Sequence, residues 1–175
     1  MTLLLTAMLL TTPVFDQAAA PTGNQTVGSV RSITDLAKGW ITKAAAQVPE
    51  DLYGFKPTPD VRSMGEVFGH IADANYMICG MAGGEKPPVS GIEKSKKTKA
   101  ELTQALDESF SFCEKVFASM TDANAGEVVK FFIPGTHTRL GVLAFNAAHD
   151  FEHYGNIVTY MRLKGMTPPS SAKGM

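Results

Sequence analysis

Residues 140–163 read LGVLAFNAAHDFEHYGNIVTYMRL. Apolar residues recur at threes and fours through Leu140, Leu143/Ala144, Ala147, Phe151, Tyr154, Val158 and Met161. That is the period of a helix that turns one face to a core. At ~1.5 Å per residue the helix is about 36 Å long. Gly165 suits its C-terminal cap, and Pro168-Pro169 end it. A polar stripe, Asn146, His149, His153 and Asn156, runs beside the apolar face.

Working outward, three more segments carry the same period. Residues 24–47 place Val27, Val30, Ile33/Thr34, Ala37, Trp40/Ile41 and Ala44 on one face, and Pro49 closes them. Pro57 and Pro59 make the following linker extended or turned. A second helix runs from about Met64 to Cys79. Its start is a capping box, Ser63-Met64-Gly65-Glu66, in which the serine hydroxyl and the glutamate satisfy each other's backbone N–H. Gly80, Gly83, Gly84, Pro87 and Pro88 then break the chain, and Lys94, Lys96, Lys97 and Lys99 read as a solvated loop. A second capping box, Thr98-Lys99-Ala100-Glu101, opens a third helix to about Met120. Val128–Ile133, a Pro134-Gly135 turn and Thr138–Leu140 predict a short extended excursion before the last helix. The expected fold is all-α: an up-down four-helix bundle with a long second connection, occupying residues 21–175.

Composition agrees. In 175 residues, 44% are apolar and 19% charged, which suits one globular domain and excludes a disordered chain. A formal net charge of −1 lacks the basic excess of a nucleic-acid binder. No run reaches the roughly 18–20 apolar residues that span a bilayer. Residues 1–20, MTLLLTAMLLTTPVFDQAAA, have an apolar run, one charge and a closing Ala-Ala-Ala, as in a secretory signal peptide, but no Lys or Arg. The expectation is export to the periplasm or exterior, with cleavage after Ala20. The alternative is an N-terminal extension on a cytoplasmic protein. Asn24-Gln25-Thr26 fits a glycosylation sequon.

The chemistry lies in the histidines, of which there are four. His149 and His153 are four apart, so a helix presents them as neighbours, and two such imidazoles can share one metal ion. His70 sits within the second helix between apolar neighbours, where a polar side chain needs a partner. Three imidazoles converging in a bundle would leave a coordination position open; Zn²⁺ fits such a set, as do Ni²⁺ and Fe²⁺. The competing reading is three hydrogen-bonded core histidines. His137, beside Pro134-Gly135, reads as a solvated turn residue. Glu66 and Asp73 lie one turn either side of His70 as candidate partners or proton shuttles, although the capping box already uses Glu66. Asp150 and Glu152 point off the histidine face.

These residues resemble a family. Ser63-Met64-Gly65-Glu66-Val67-Phe68-Gly69-His70-Ile71 is similar to the second-helix motif of DinB-like proteins. His149-Asp150-Phe151-Glu152-His153-Tyr154-Gly155-Asn156-Ile157 is similar to their last-helix motif. The similarity runs from about residue 24 to 169. It implies a four-helix bundle, commonly a homodimer, with a divalent metal held by His70, His149 and His153. It also implies kinship with thiol-dependent transferases and isomerases. Asn156 stands where many members carry Gln, and an exported chain would sit away from the usual thiol cofactors.

Two classes of function follow. One is a metal-dependent hydrolase or thiol/group transferase acting on an unidentified small molecule. The other is a non-catalytic exported module that binds a metal or small ligand. Cys79 and Cys113 are the only cysteines. In an oxidising compartment they could pair, and otherwise they are two buried thiols. Antiparallel packing of the second and third helices would set their C-terminal halves at opposite ends.

Overall fold

Both capping boxes form, and each fixes where a long helix starts. Ser63 Oγ accepts from the Glu66 N–H while Glu66 accepts from the Ser63 N–H, opening α2 (Met64–Gly83). Thr98 and Glu101 do the same for α4 (Lys99–Ala118). The computed structural model describes residues 24–172. The readings placed on residues 1–20, the leader and its cleavage, lie outside the described residues. The remaining α-helices among the described residues are α1 (Gln25–Gln47), a single-turn α3 (Ile92–Ser95) and α5 (Arg139–Leu163), with short 3-10 turns at Glu50–Leu52 and Pro169–Ser171. A two-residue hairpin, β1 (Val128–Val129) and β2 (His137–Thr138), forms the extended excursion, pairing Val128 with Thr138 and Val129 with His137. The fold is the expected all-α bundle with a long second connection. Among the described residues no helix is long and apolar enough to cross a membrane.

The sense of α4 differs from simple up-and-down order. The start of α1 meets the end of α4, where Asp122 accepts from the Thr26 and Val27 N–H groups. A Cβ on Gly65 would meet Leu102, near the start of both α2 and α4, and one on Gly83 would meet Val116, near the end of both. So α2 and α4 run parallel, and the order is up, down, down, up. The connection 84–98 makes this possible by carrying the chain back along the bundle. Parallel packing also brings Cys79 and Cys113 together, with a Cα–Cα distance of 5.3 Å and a disulfide between them. The separation expected from antiparallel packing does not occur.

Two stretches are more helical than their composition suggests. α2 runs one turn past Cys79 because Gly80 and Gly83 stay helical and the break falls at Gly84, which takes the left-handed conformation (φ 75°). Gly80 is needed there, since a Cβ would lie 2.8 Å from the Glu85 carbonyl oxygen. The lysine-rich segment is not all loop: Ile92 is buried and anchors α3, which includes Lys94.

The core has one half around Ile41, Met64, Phe68, Leu102, Phe110 and Met161, and another around Ile78, Val116, Phe117, Val142, Leu143 and the disulfide. Burying each large side chain contributes about 1.5–3 kcal/mol. On α1 the ambiguous pair resolves with Thr34 inside and Ile33 half exposed. α5 is buried on two faces. Leu143, Ala147, Tyr154 and Met161 follow the expected stripe, and a second row, Val142, Asn146, Asp150, His153, Ile157 and Tyr160, is buried as well.

Candidate metal centre

The capping box at Ser63 sets the register of α2 and so places His70 two turns into the helix. The unbroken α5 places His149 and His153 one turn apart. The two helices cross so that one ring nitrogen from each histidine lies within 4.8 Å of the other two. The three rings pack edge to face or tilted, with centroids 4.4 to 5.2 Å apart. His149 Nε2 and His153 Nε2 are 3.1 Å apart. Two nitrogens each about 2.0–2.1 Å from a single ion would stand about 3.0–3.4 Å apart.

The outer nitrogens decide what the inner ones present. His153 Nδ1 lies 3.1 Å from Asn156 Oδ1 and His70 Nδ1 lies 3.2 Å from Glu93 Oε2. Both partners are acceptors, so both histidines carry their proton on Nδ1 and offer a bare Nε2. Among the described residues His149 Nδ1 is buried without a protein partner. Burial pushes the His149 pKa down to about 4, helped by the neighbouring His153, His70 and Arg62. Burial, with Arg62 and His153 next, also lowers that of His70. These two imidazoles are neutral at pH 7, and the His70–Glu93 contact is a hydrogen bond rather than an ion pair. Two rings whose outer nitrogens are engaged, and a neutral third, fit a divalent ion of the zinc, nickel or iron type.

A cleft of about 600 Å³ opens beside the cluster, lined in part by Lys56, Arg62, Glu66, Glu152, His153 and Tyr160. Its charges are largely paired: Lys56 with Glu66 at 3.1 Å and Arg62 with Glu93 at 2.9 Å. The Tyr160 hydroxyl donates to the Arg62 carbonyl and ties the end of α5 to this wall.

The other sequence candidates fall elsewhere. Glu66 is held by the capping box and by Lys56, and its pKa is lowered by the Ser63 N–H first. Asp73 does not bond to His70; its carboxylate accepts from the Ile92 and Glu93 N–H groups. His137 is half-buried in β2, its Nε2 3.0 Å from the Ile133 carbonyl, and stands apart from the cluster. It holds the hairpin turn rather than facing solvent freely. Glu152 is exposed on the cleft wall. Asp150 is fully buried beside Asn146.

Sequence reasoning missed Glu93. It is 23 residues from His70 and sits in a lysine-rich stretch. The available signal was Gly91 before Ile92, a turn followed by a buried anchor. It also missed the buried row Ser109, Asn75, Asn146 and Asp150, linked by Asn75 Nδ2 to Ser109 Oγ (3.2 Å) and Asn146 Nδ2 to Asn75 Oδ1 (2.8 Å).

A family profile describing the DinB superfamily matches residues 36–157. Among solved structures, a DinB-like protein from Bacillus cereus superposes with a TM-score of 0.73 at 18% identity, covering 83% of this chain and 97% of that one. A DinB-like protein from Bacillus subtilis gives 0.65 at 19% identity, covering 87% and 100%. A conserved protein from Enterococcus faecalis gives 0.65 at 16%, covering 78% and 95%. These likenesses show a shared fold. No curated protein matches the chain.

Proposed function

The chain belongs to the DinB superfamily, and from its three converging imidazoles we propose that it binds one divalent metal ion through His70, His149 and His153. The observation that carries this reading is the mutual approach of three ring nitrogens from two helices. Asn156 and Glu93 orient two of the rings through their outer nitrogens. Burial keeps the His149 ring neutral at pH 7. A divalent ion held by three imidazoles supplies Lewis acidity at its remaining coordination positions.

The cleft favours a catalytic or ligand-binding site over a purely structural one, because a structural site is closed by four protein ligands. Its wall gives the polar groups that would orient a small polar substrate: the Lys56 ammonium, the Arg62 guanidinium and the Asn156 amide. The proposed activity is that of a metal-dependent hydrolase or thiol/group transferase. The Cys79–Cys113 bridge supports the further reading that the chain is exported, since disulfides persist in oxidising compartments. Turnover of thiol, ester and amide panels, with and without added metal, tests the enzymatic reading. Metal-dependent turnover supports it; metal binding without turnover of any class leaves a metal- or ligand-binding module.

A further inference from the structure

The His70 ring is held from outside the four long helices, by the connection between α2 and α4. Glu93 is on α3. One of its carboxylate oxygens meets His70 Nδ1 at 3.2 Å and the other takes the Arg62 Nε–H at 2.9 Å. Two residues of α2 fix where that carboxylate starts from. Asp73 Oδ1 accepts from the Ile92 N–H and Oδ2 from the Glu93 N–H, both at 2.9 Å. Gly69 lets the α3 backbone close in, since a Cβ there would lie 2.7 Å from Glu93 Cα and 3.0 Å from its nitrogen. Ile92, only 1% exposed, pins α3 from the core side. The Glu93 main chain is therefore held on both flanks, and its side chain is a short arm ending on His70.

We propose that Gly69, Asp73 and Glu93 act as one positioning unit, through which α3 sets the tautomer and orientation of His70. The metal affinity of the site then depends on Asp73, although Asp73 makes no hydrogen bond to a histidine. A neutral imidazole carries its proton on one nitrogen only, and an acceptor at Nδ1 selects the form that leaves Nε2 bare. An ion at the cluster needs that bare nitrogen, and outer partners of this kind are typically worth 10–100-fold in affinity. The proposal rests on the metal-binding reading, but the tautomer is a property of the metal-free protein and can be read without metal.

The experiment compares wild type with Glu93→Ala, Glu93→Gln, Asp73→Ala, Gly69→Ala and the Glu93→Ala/Asp73→Ala double variant. ¹⁵N NMR of histidine-labelled, metal-free protein at neutral to mildly basic pH reads the His70 tautomer, and chelator competition reads Zn²⁺ affinity. Wild type and Glu93→Gln should hold the Nδ1–H form, because the glutamine oxygen still accepts. Glu93→Ala, Asp73→Ala and Gly69→Ala should lose it and bind Zn²⁺ about 10–100-fold more weakly. The double variant should be no weaker than Glu93→Ala alone, because the two residues act through one contact. An Asp73→Ala or Gly69→Ala protein that keeps the wild-type tautomer and affinity would overturn the proposal, as would losses that multiply in the double variant. If wild type takes up no Zn²⁺, the metal-binding reading fails, and the tautomer comparison still decides the role of Asp73.

Discussion

His149 Nε2 and His153 Nε2 face each other at 3.1 Å across one turn of α5. Two neutral rings tolerate this only if one donates to the other or both direct lone pairs at a shared cation. His153 has committed its proton to Asn156 through Nδ1, so its Nε2 is an acceptor. In the metal-free chain His149 must then donate through Nε2, which leaves its buried Nδ1 as an acceptor without a donor. A divalent ion at the cluster would take the lone pairs of both Nε2 atoms in place of this hydrogen bond, with the His149 proton carried on Nδ1 instead.

The depressed pKa values set the acid limit of binding. A free imidazole takes a proton near pH 6.5, but His149 is pushed down to about 4 and His70 is lowered as well. Neither of these rings should take up a proton at pH 7, so metal should be retained at neutral pH and be lost only as pH falls below about 6.5. The same shift has a consequence for the metal-free fold. His149 binds a proton more readily unfolded than folded, so its contribution is whole above about pH 6.5 and is lost as pH falls toward 4. Metal content after dialysis between about pH 8 and 4, with denaturant midpoints of the metal-free protein, checks both statements; release already complete at about pH 7 would contradict the first.

Asp150 has the opposite sign. Its carboxyl is fully buried, and desolvation raises its pKa well above the usual value. Among the described residues Asp150 Oδ1 and Asn146 Oδ1 are both buried acceptors without donors, so a proton on the carboxyl supplies what this patch lacks. Its contribution is whole in acid and declines as pH rises past the unfolded value, near 4. Asp150→Asn removes that decline and brings a donor. Urea unfolding should find the variant more stable than wild type at pH 8, by about 1 kcal/mol or more, with the advantage shrinking toward pH 4.5. A variant less stable than wild type at pH 8 would contradict this account.

The helix starts were legible in the sequence because capping is local: Ser63 with Glu66, and Thr98 with Glu101, need only three residues of context. The histidine pair was legible for the same reason, since a spacing of four fixes a shared face. Helix direction was not. A 3.6-residue period reads the same in either sense, and the parallel run of α2 and α4 depends on where residues 84–98 travel. The second buried face of α5 was hidden by its own chemistry. Asn146, Asp150 and His153 count as outward residues in any apolar pattern, yet they are buried against α2 and one another. Glu93 was illegible because its role exists only once Asp73 and Gly69 have docked α3.

The Cys79–Cys113 bridge closes a span of 34 residues, and such a loop contributes about 3–4 kcal/mol through the unfolded chain. Replacing both cysteines with alanine should lower unfolding stability by that order and leave metal content unchanged, because no histidine contact passes through the sulfurs. If the chain is exported, protein from its native host should begin near Pro21 and carry no free thiol. N-terminal sequencing and thiol titration under denaturing, non-reducing conditions check this; an intact Met1 or two free thiols would contradict it.

Association is expected from the family resemblance, and half-exposed Ile33 and Leu36 on α1 permit it. Light scattering should give twice the chain mass at micromolar concentrations. A monomer mass throughout would contradict the homodimer.

The most direct test is metal content per chain after exhaustive dialysis, for wild type and the His70→Ala, His149→Ala, His153→Ala and His137→Ala variants. The account predicts about one equivalent in wild type and in His137→Ala, and a small fraction of that in each of the other three, because two imidazoles hold a divalent ion far less well than three. Equal metal content in wild type and in the His149 and His153 variants would contradict it and leave the three histidines as core residues.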